Sequence, residues 1–356
     1  MLIFVLLFSS SSCLDLIAPT DTDNTDPSIW EKTPFEVHFI DVGQADAALV
    51  ICDGKVMMID GGNRDDSDLI YSYLSKLGIS HIDYMISTHI HEDHVGGLSG
   101  ALTYATVGTV YAPTETSTAK AFINFASKVK SRGAKITVPT PGTVFSLGLA
   151  QVTILGPTNA YDSYEDTNDT SIVLRVVFGE TSFLFTGDME SLAEAELLST
   201  GRELKSTVLK VGHHGSYSST SYRFLKAVAP QYGVISLGLN NEYGHPHDGV
   251  MSRLRDADVT IYRTDLQGDI ICRSDGKNVT FTTSKNAGVP TNPTESQGTT
   301  SSDAAVTEYA YVGNLNTKKF HLIDCSSLPS EENSIYFTTK EEAIENEYTA
   351  CGICNP

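Results

Sequence analysis

Apolar and polar positions alternate over short stretches at the start of the folded region, then recur at helical spacing, then alternate again. Phe35–Asp41, Ala47–Cys52 and Lys55–Ile59 read as strands. The last two are joined by Asp53-Gly54, a dipeptide that accepts the left-handed backbone of a tight hairpin. Leu69, Ile70, Tyr73, Leu74 and Leu77 then fall on one face of a helix over Asp66–Leu77, which Gly78 stops. Tyr84-Met85-Ile86-Ser87 is a continuous apolar run, the pattern of a short buried strand. Further strands are predicted at Thr109–Ala112, Gln151–Leu155, Ser171–Phe178, Thr181–Thr186, Ser206–Lys210, Tyr232–Ser236, Val259–Tyr262 and Gly268–Arg273. Helices are predicted at Thr118–Ser131, Glu190–Leu198, Ser219–Ala229 and Asp248–Asp256. Strands first, alternating elements next and strands last predict an α/β unit of two sheets between layers of helices.

Directly after the buried run comes Thr88-His89-Ile90-His91-Glu92-Asp93-His94-Val95-Gly96-Gly97. Imidazole and carboxylate are ligands for a borderline divalent ion. Their spacing lets His89 and His91 serve one position while Asp93 and His94 serve a neighbouring one. A strand delivers this cluster to a loop, where a rigid scaffold can hold it.

The pattern H-x-H-x-D-H resembles the metallo-β-lactamase superfamily. Val56-Met57-Met58-Ile59-Asp60-Gly61-Gly62 and Phe183-Leu184-Phe185-Thr186-Gly187-Asp188 are similar to two further family strands. Within the superfamily, three segments resemble the ComEC-like competence domains and related choline-binding phosphodiesterases. They are Phe39–Ala47, Leu209–Ser216 (with Gly212-His213-His214-Gly215) and Asn241–Pro246. The resemblance runs from about Phe35 to Thr283 and implies an αββα sandwich. It implies two divalent ions, zinc or manganese, with His89 and His91 at one and Asp93, His94 and His214 at the other. Asp188 would bridge them. Most of the superfamily adds a histidine between the first cluster and that aspartate; here the stretch holds Asn168-Asp169-Thr170-Ser171 instead, as in ComEC-like domains. A phosphate oxygen of the substrate, a water or Asn168 is left to complete the first position.

Two such cations activate a water as hydroxide and clamp the attacking and leaving oxygens of a displacement. Asp93 and Asp188 would hold the nucleophile. His213, beside a ligand but pointing elsewhere, is a candidate phosphate contact or general acid, with a surface position as the alternative. His245, at a tight or cis turn with Pro246, is a candidate leaving-group contact, and His247 is expected to face solvent. Asn168, Ser171 and Lys210 are candidate substrate contacts. Asp41 and Gln44 sit at a strand end near the metals, and Asp60 is expected to hydrogen-bond beneath the histidine loop.

The termini add an address. Met1–Phe8 is apolar but too short to span a bilayer, and with Ser9–Ser12 it has the shape of an export signal over residues 1–12. Ser10-Ser11-Ser12-Cys13 resembles a lipobox, implying a lipid on Cys13; an ordinary secreted protein is the alternative. Residues 13–34 form a polar tether, 35–285 the hydrolase domain and 286–304 a Ser/Thr/Pro-rich linker.

Residues 305–356 form a separate unit. His321-x3-Cys325 and Cys351-x2-Cys354 have the spacing of four tetrahedral zinc ligands. A unit this short buries too little apolar surface to stand without a staple, so one structural zinc is expected. It resembles the metal-binding domain of Ada, with His321 in place of the first cysteine and a helix over Lys340–Glu347. A disulfide is the alternative in an oxidising compartment. In Ada-like proteins the domain contacts DNA, but Glu331, Glu332, Glu341, Glu342, Glu345 and Glu347 make this one acidic. Cys52 and Cys272 stand alone in strand-like runs and read as buried hydrophobes.

A formal charge of −20 argues against a protein that coats nucleic acid, since no basic stripe stands out. The leading expectation is an exported metal-dependent phosphodiesterase or nuclease of the ComEC-like type, with extracellular DNA as its candidate substrate. Its only membrane contact would be the lipid anchor. The rivals are a hydrolase of phosphocholine or other cell-surface esters and a non-catalytic metal-binding surface module.

Overall fold

A computed structural model describes residues 34–289, 291, 311–322, 325–329, 333–337, 340–354 and 356. The export signal, Cys13, all of the tether but Pro34 and most of the linker lie outside the described residues.

The chain opens with the antiparallel strands β1 (Phe35–Phe39), β2 (Ala48–Cys52) and β3 (Lys55–Ile59). Helix α1 (Ser67–Leu77), β4 (His81–Ile86), the short helices α2 (Glu92–Val95) and α3 (Leu98–Tyr104), and β5 (Thr106–Tyr111) follow. Then come α4 (Lys120–Ser131), β6 (Ile136–Thr137), β7 (Val144–Leu147), β8 (Ala150–Gly156), β9 (Val173–Phe178) and β10 (Thr181–Phe185). The second half alternates α5 (Ser191–Ser199), β11 (Val208–Lys210), α6 (Tyr222–Val228), β12 (Tyr232–Ile235), α7 (Asp248–Asp256) and β13 (Thr260–Arg263). It closes with α8 (Thr264–Gln267), β14 (Ile270–Ser274) and β15 (Val279–Thr283).

One sheet runs β15-β14-β1-β2-β3-β4-β5-β6 and the other β13-β12-β11-β10-β9-β8-β7. Strand alternation decides which face each side chain takes. Val37, Val50, Met57 and Ile59 point into the gap between the sheets, against Val152, Ile154, Val176, Phe183 and Phe185. The intervening Leu49, Val56 and Met58 point outward, under Leu74, Leu102, Phe122 and Phe125 of the helices. On the second sheet Leu184 and Leu209 face outward to Leu197, Phe224, Val250 and Leu254. Each such side chain contributes about 1.5–3 kcal/mol by leaving water. The layers are therefore helix, sheet, sheet, helix: the expected αββα sandwich. Strands β3, β4 and β5 run parallel, as do β10 to β13, so their C-terminal loops gather at one edge.

Several elements escaped the sequence pattern, the short α2, β6 and α8 among them. Helix α3 is buried along most of its length with only Ser99, Thr103 and Tyr104 reaching the surface, β7 leaves Val144 exposed, and β15 is a half-buried edge strand. Among the described residues no helix is long and apolar enough to cross a membrane.

The C-terminal unit pairs β16 (Tyr311–Asn314), β17 (Lys319–Leu322), β18 (Ser334–Phe337) and β19 (Thr349–Ala350) in the order β18-β16-β17-β19. Its core is Phe320, Phe337, Ala343 and Tyr348. The helix α9 (Lys340–Glu345) ends two residues earlier than the spacing predicted, and Glu347 takes a left-handed φ of 66°.

A Cβ on Gly100 would stand 1.9 Å from the carbonyl oxygen of Ser67, where α3 meets α1. Gly100→Ala is expected to cost about 1–3 kcal/mol by overpacking, read as a lower urea midpoint with an unchanged slope.

Candidate metal centre

The cluster is built on Asp60, which ends β3 in the left-handed region at φ 56°. Its carboxylate accepts from Thr88 N (2.8 Å), Thr88 Oγ1 (2.7 Å) and His94 Nδ1 (2.9 Å). Burial pushes the carboxyl up, and these donors oppose the shift. With Nδ1–H given to Asp60, the lone pair of His94 lies on Nε2. His214 is set the same way: Nδ1 donates to the Ser236 carbonyl at 2.9 Å. His89 Nδ1 lies 3.2 Å from Thr88 Oγ1, and its Nε2 lies 3.1 Å from His91 Nδ1.

These free nitrogens converge on Asp188, which follows β10. Its Oδ2 lies 3.2 Å from His94 Nε2, 3.6 Å from His214 Nε2 and 4.0 Å from His89 Nε2. Asp93 Oδ2 lies 3.3 Å from His214 Nε2. Asp93, His94, Asp188 and His214 each offer a ligand atom within 4.8 Å of the others. Burial alone would raise the Asp188 carboxyl; the surrounding imidazoles of His94, His214 and His213 outweigh it and hold the group well below the usual range.

Among the described residues, His94 Nε2, His214 Nε2 and Asp188 Oδ1 are buried without a hydrogen-bond partner. Each such atom costs about 1–3 kcal/mol. Lone pairs aimed at carboxylates are what a divalent cation reconciles, so the donor set fits a metal centre. His89 and His91 stand beside this set, with His89 Nε2 reaching Asp188 Oδ2 at 4.0 Å, but among the described residues His91 is not part of the set whose ligand atoms lie within 4.8 Å of one another.

Two more imidazoles face the cluster. His213 and His214 take consecutive left-handed conformations, φ 48° and 53°, which turn both rings inward. His213 therefore does not point elsewhere, as expected: Nε2 lies 3.7 Å from Asp188 Oδ2 and Nδ1 lies 3.1 Å from Glu190 Oε1. His245 follows, through a cis bond to Pro246, with its ring 5.8 Å from that of His213. Gln44 Nε2 donates to its Nδ1 at 3.1 Å, while Gln44 Oε1 accepts from Gly238 N. Burial and the neighbouring imidazoles push His245 down to about 3, so it stays neutral and donates through Nε2–H.

Other expectations need correction. Lys210 does not face substrate: it is 4% exposed and bonds Asp46 Oδ2 at 2.7 Å beneath the cluster. Ser171 is 1% exposed, and its hydroxyl accepts from Asp188 N at 3.1 Å, so it sets the aspartate rather than touching substrate. His247 is half-buried and accepts from Tyr217 N at 3.0 Å. Asp41 is held by Lys285 at 2.9 Å. Asn168 donates to Glu190 Oε1 at 3.3 Å, which places it behind His213. Glu190 itself, with Ser218 also donating to it at 2.9 Å, was missed. Its only sequence signal is standing two residues past Asp188.

In the C-terminal unit, His321 Nδ1 lies 3.3 Å from Cys325 Sγ, and Cys325 Sγ lies 3.9 Å from Cys351 Sγ. Leu322 N donates to Cys354 Sγ and Ile353 N to Cys351 Sγ. The three thiols are free, and with His321 their ligand atoms lie within 4.8 Å of one another. Backbone donors on sulfur favour thiolates, so this set fits zinc rather than the alternative disulfide.

Residues 40–239 match the Metallo-beta-lactamase superfamily, and residues 295–356 match the Metal binding domain of Ada. ComE operon protein 3 of Bacillus subtilis is 30% identical over 69% of this chain and 34% of its own length. Competence protein ComA of Neisseria gonorrhoeae is 46% identical over 29% of this chain and 15% of its own. Recombination protein 2 of Haemophilus influenzae is 31% identical over 67% and 29%. The chain thus spans about a third or less of these relatives. Among solved structures, the metallo-beta-lactamase fold protein YhfI of Bacillus subtilis is 12% identical, covers 65% of this chain and 96% of its own, and has a TM-score of 0.41.

Asp60→Ala would strip partners from Thr88 and His94 Nδ1; metal affinity is expected to fall about 10- to 100-fold, measured by competition with a chelator. Lys210→Met would leave the Asp46 carboxylate buried without its cation, costing about 3–5 kcal/mol in denaturant titrations.

Proposed function

The chain belongs to the metallo-β-lactamase superfamily as a metallo-hydrolase related to competence proteins, and we propose that it cleaves phosphodiester bonds outside the cell. One observation carries this reading: His213 and His245 stand over the metal cluster, each anchored through Nδ1 by a partner on the protein side. Two Nε2 positions on the cluster side suit a centre with two non-bridging oxygens better than a carbonyl with one. No histidine occurs between His94 and His213. The position beside His89 and His91 is thereby left open to an oxygen of the substrate.

Divalent cations held at the cluster would polarise the phosphorus centre and lower the pKa of a water. The chain's residues do the rest. Asp60 and Ser236 hold the imidazoles in register, and Ser171 fixes the backbone of Asp188. His245 donates Nε2–H to an equatorial oxygen. Burial lowers the pKa of His213, but Asp188 and Glu190 overcome this and raise it. Glu190 takes Nδ1–H of His213 at 3.1 Å, which leaves Nε2 as the position that can pass a proton to the departing alkoxide.

The apolar start and Cys13 support export with a lipid anchor at the outer face of the membrane. DNA and phosphocholine-bearing polymers are the candidate diesters there.

The test is hydrolysis of bis-p-nitrophenyl phosphate by the full chain loaded with Zn²⁺ or Mn²⁺. Turnover is expected, with Asp188→Ala abolishing it and His213→Gln lowering kcat by about 100-fold or more. Turnover of a lactam or thioester with none of the diester would contradict the reading.

A further inference from the structure

If the metal cluster acts on phosphodiesters, the reading on which this inference rests, the loop between β12 and α7 bears on which diester it prefers. Gly238–His245 carries two large apolar side chains, Leu239 at 64% exposed and Tyr243 at 60%. Among the described large hydrophobic residues only Ile353, in the C-terminal unit, is more exposed. Exposed apolar side chains scattered singly are ordinary on a protein surface. Two on one loop that also places an imidazole over a metal cluster call for a reason.

Slack chain does not supply it, because the loop is clamped on itself. Asn241 Nδ2 donates to the carbonyl of Gly238 at 3.0 Å and to that of His245 at 2.7 Å, and its Oδ1 accepts from His245 N at 2.9 Å. Gln44 grips the same two ends from the loop after β1: Oε1 accepts from Gly238 N and Nε2 donates to His245 Nδ1, each at 3.1 Å. A Cβ on Gly238 would stand 2.7 Å from Gln44 N, so only glycine lets the two loops meet this closely. A frame with its polar groups satisfied therefore holds the apolar side chains out in water.

The rings then form a row. Tyr243 lies on His245 with centroids 5.6 Å apart and planes 22° apart. His245 lies on His214 at 6.2 Å and 26°. From the imidazole of a metal-ligand candidate to open solvent, three near-parallel rings follow one another, and Tyr243 is the outermost. Tyr71, another exposed aromatic, packs edge-on against Tyr104 of α3 instead. Flat rings gain most from offset stacking on an aromatic face at centroid distances of about 4.5–7 Å, a contact that a small alkyl group cannot match.

We propose that Tyr243 sets the specificity of the centre: its ring receives a planar substituent carried by the phosphorus held beneath His245. The preferred diester thus bears a flat ring on one ester arm rather than a short alkyl chain. The phosphate is met by the cluster, and the arm extends the row of rings.

The experiment is calorimetric titration of the full zinc-loaded chain with benzylphosphonate and with methylphosphonate. A carbon stands in place of the ester oxygen in both, so neither is hydrolysed and binding is read independently of turnover. Benzylphosphonate is expected to bind at least about fivefold more tightly than methylphosphonate. Tyr243→Ala is expected to bring the two within about twofold of each other, whereas Tyr243→Phe, which keeps the ring, and Tyr71→Ala, a control on α1, retain the preference. Were Tyr243 only a prop for His245, Tyr243→Ala would weaken both ligands alike and leave their ratio intact. That result, or no benzyl preference in the unsubstituted chain, would overturn the proposal. A ring preference that depends on Tyr243, found beside no turnover of bis-p-nitrophenyl phosphate, would keep the role of Tyr243 and overturn the phosphodiesterase reading. Turnover without the preference would do the reverse.

Discussion

The buried carboxylate of Asp60 is the constraint on which the centre depends. It ties the end of β3 to the loop after β4 through both polar atoms of Thr88, and through His94 Nδ1 it decides which nitrogen of that ring faces the cluster. A carboxylate this deeply buried is stable only with its acceptor sites filled. The three donors fill them, and the same bonds aim the ligands. The Ser236 carbonyl does for His214 what Asp60 does for His94, from the other sheet. The metal centre is thus a joint between two sheets, each of which contributes a backed imidazole.

Beneath this joint lies a second charged element, the buried pair of Lys210 and Asp46. Burial would raise the Asp46 carboxyl, but Lys210 and His214 bring it down to about 2. Such pairs add little net stability over apolar residues; what they fix is arrangement. Asp46 Oδ1 lies 3.3 Å from His214 Nδ1, so the pair helps to set a ligand and leaves no cation free for substrate. The outer layer follows the same logic with softer partners: Glu190 and Gln44 hold Nδ1 of His213 and His245 and leave Nε2 of each free of them.

Much of this was legible in the chain because it is local. Ligand spacing in His89–His94, period-two alternation in β1 to β3 and the glycine stop at Gly78 each depend on a few neighbouring residues. What was not legible depends on distant contacts. Lys210 looks like a substrate contact until Asp46, which is remote in sequence, is found against it. Ser171 looks polar and available until the sheet buries it under Asp188. The inward turn of His213 needs a left-handed backbone that nothing in Gly212-His213-His214-Gly215 announces, although its flanking glycines permit it. Helix α3 and strand β15 were missed because burial on most sides, or exposure at an edge, erases periodicity.

Protein-side partners on Nδ1 of His94 and of His214 fix the imidazole tautomers so that Nε2 of each ring is left for the metal. Long-range proton–nitrogen correlation spectra of the zinc-loaded protein, labelled on histidine nitrogen, read this directly. The account predicts protons on Nδ1 of both rings and metal-shifted Nε2 resonances. Protonated Nε2 on either ring would contradict it.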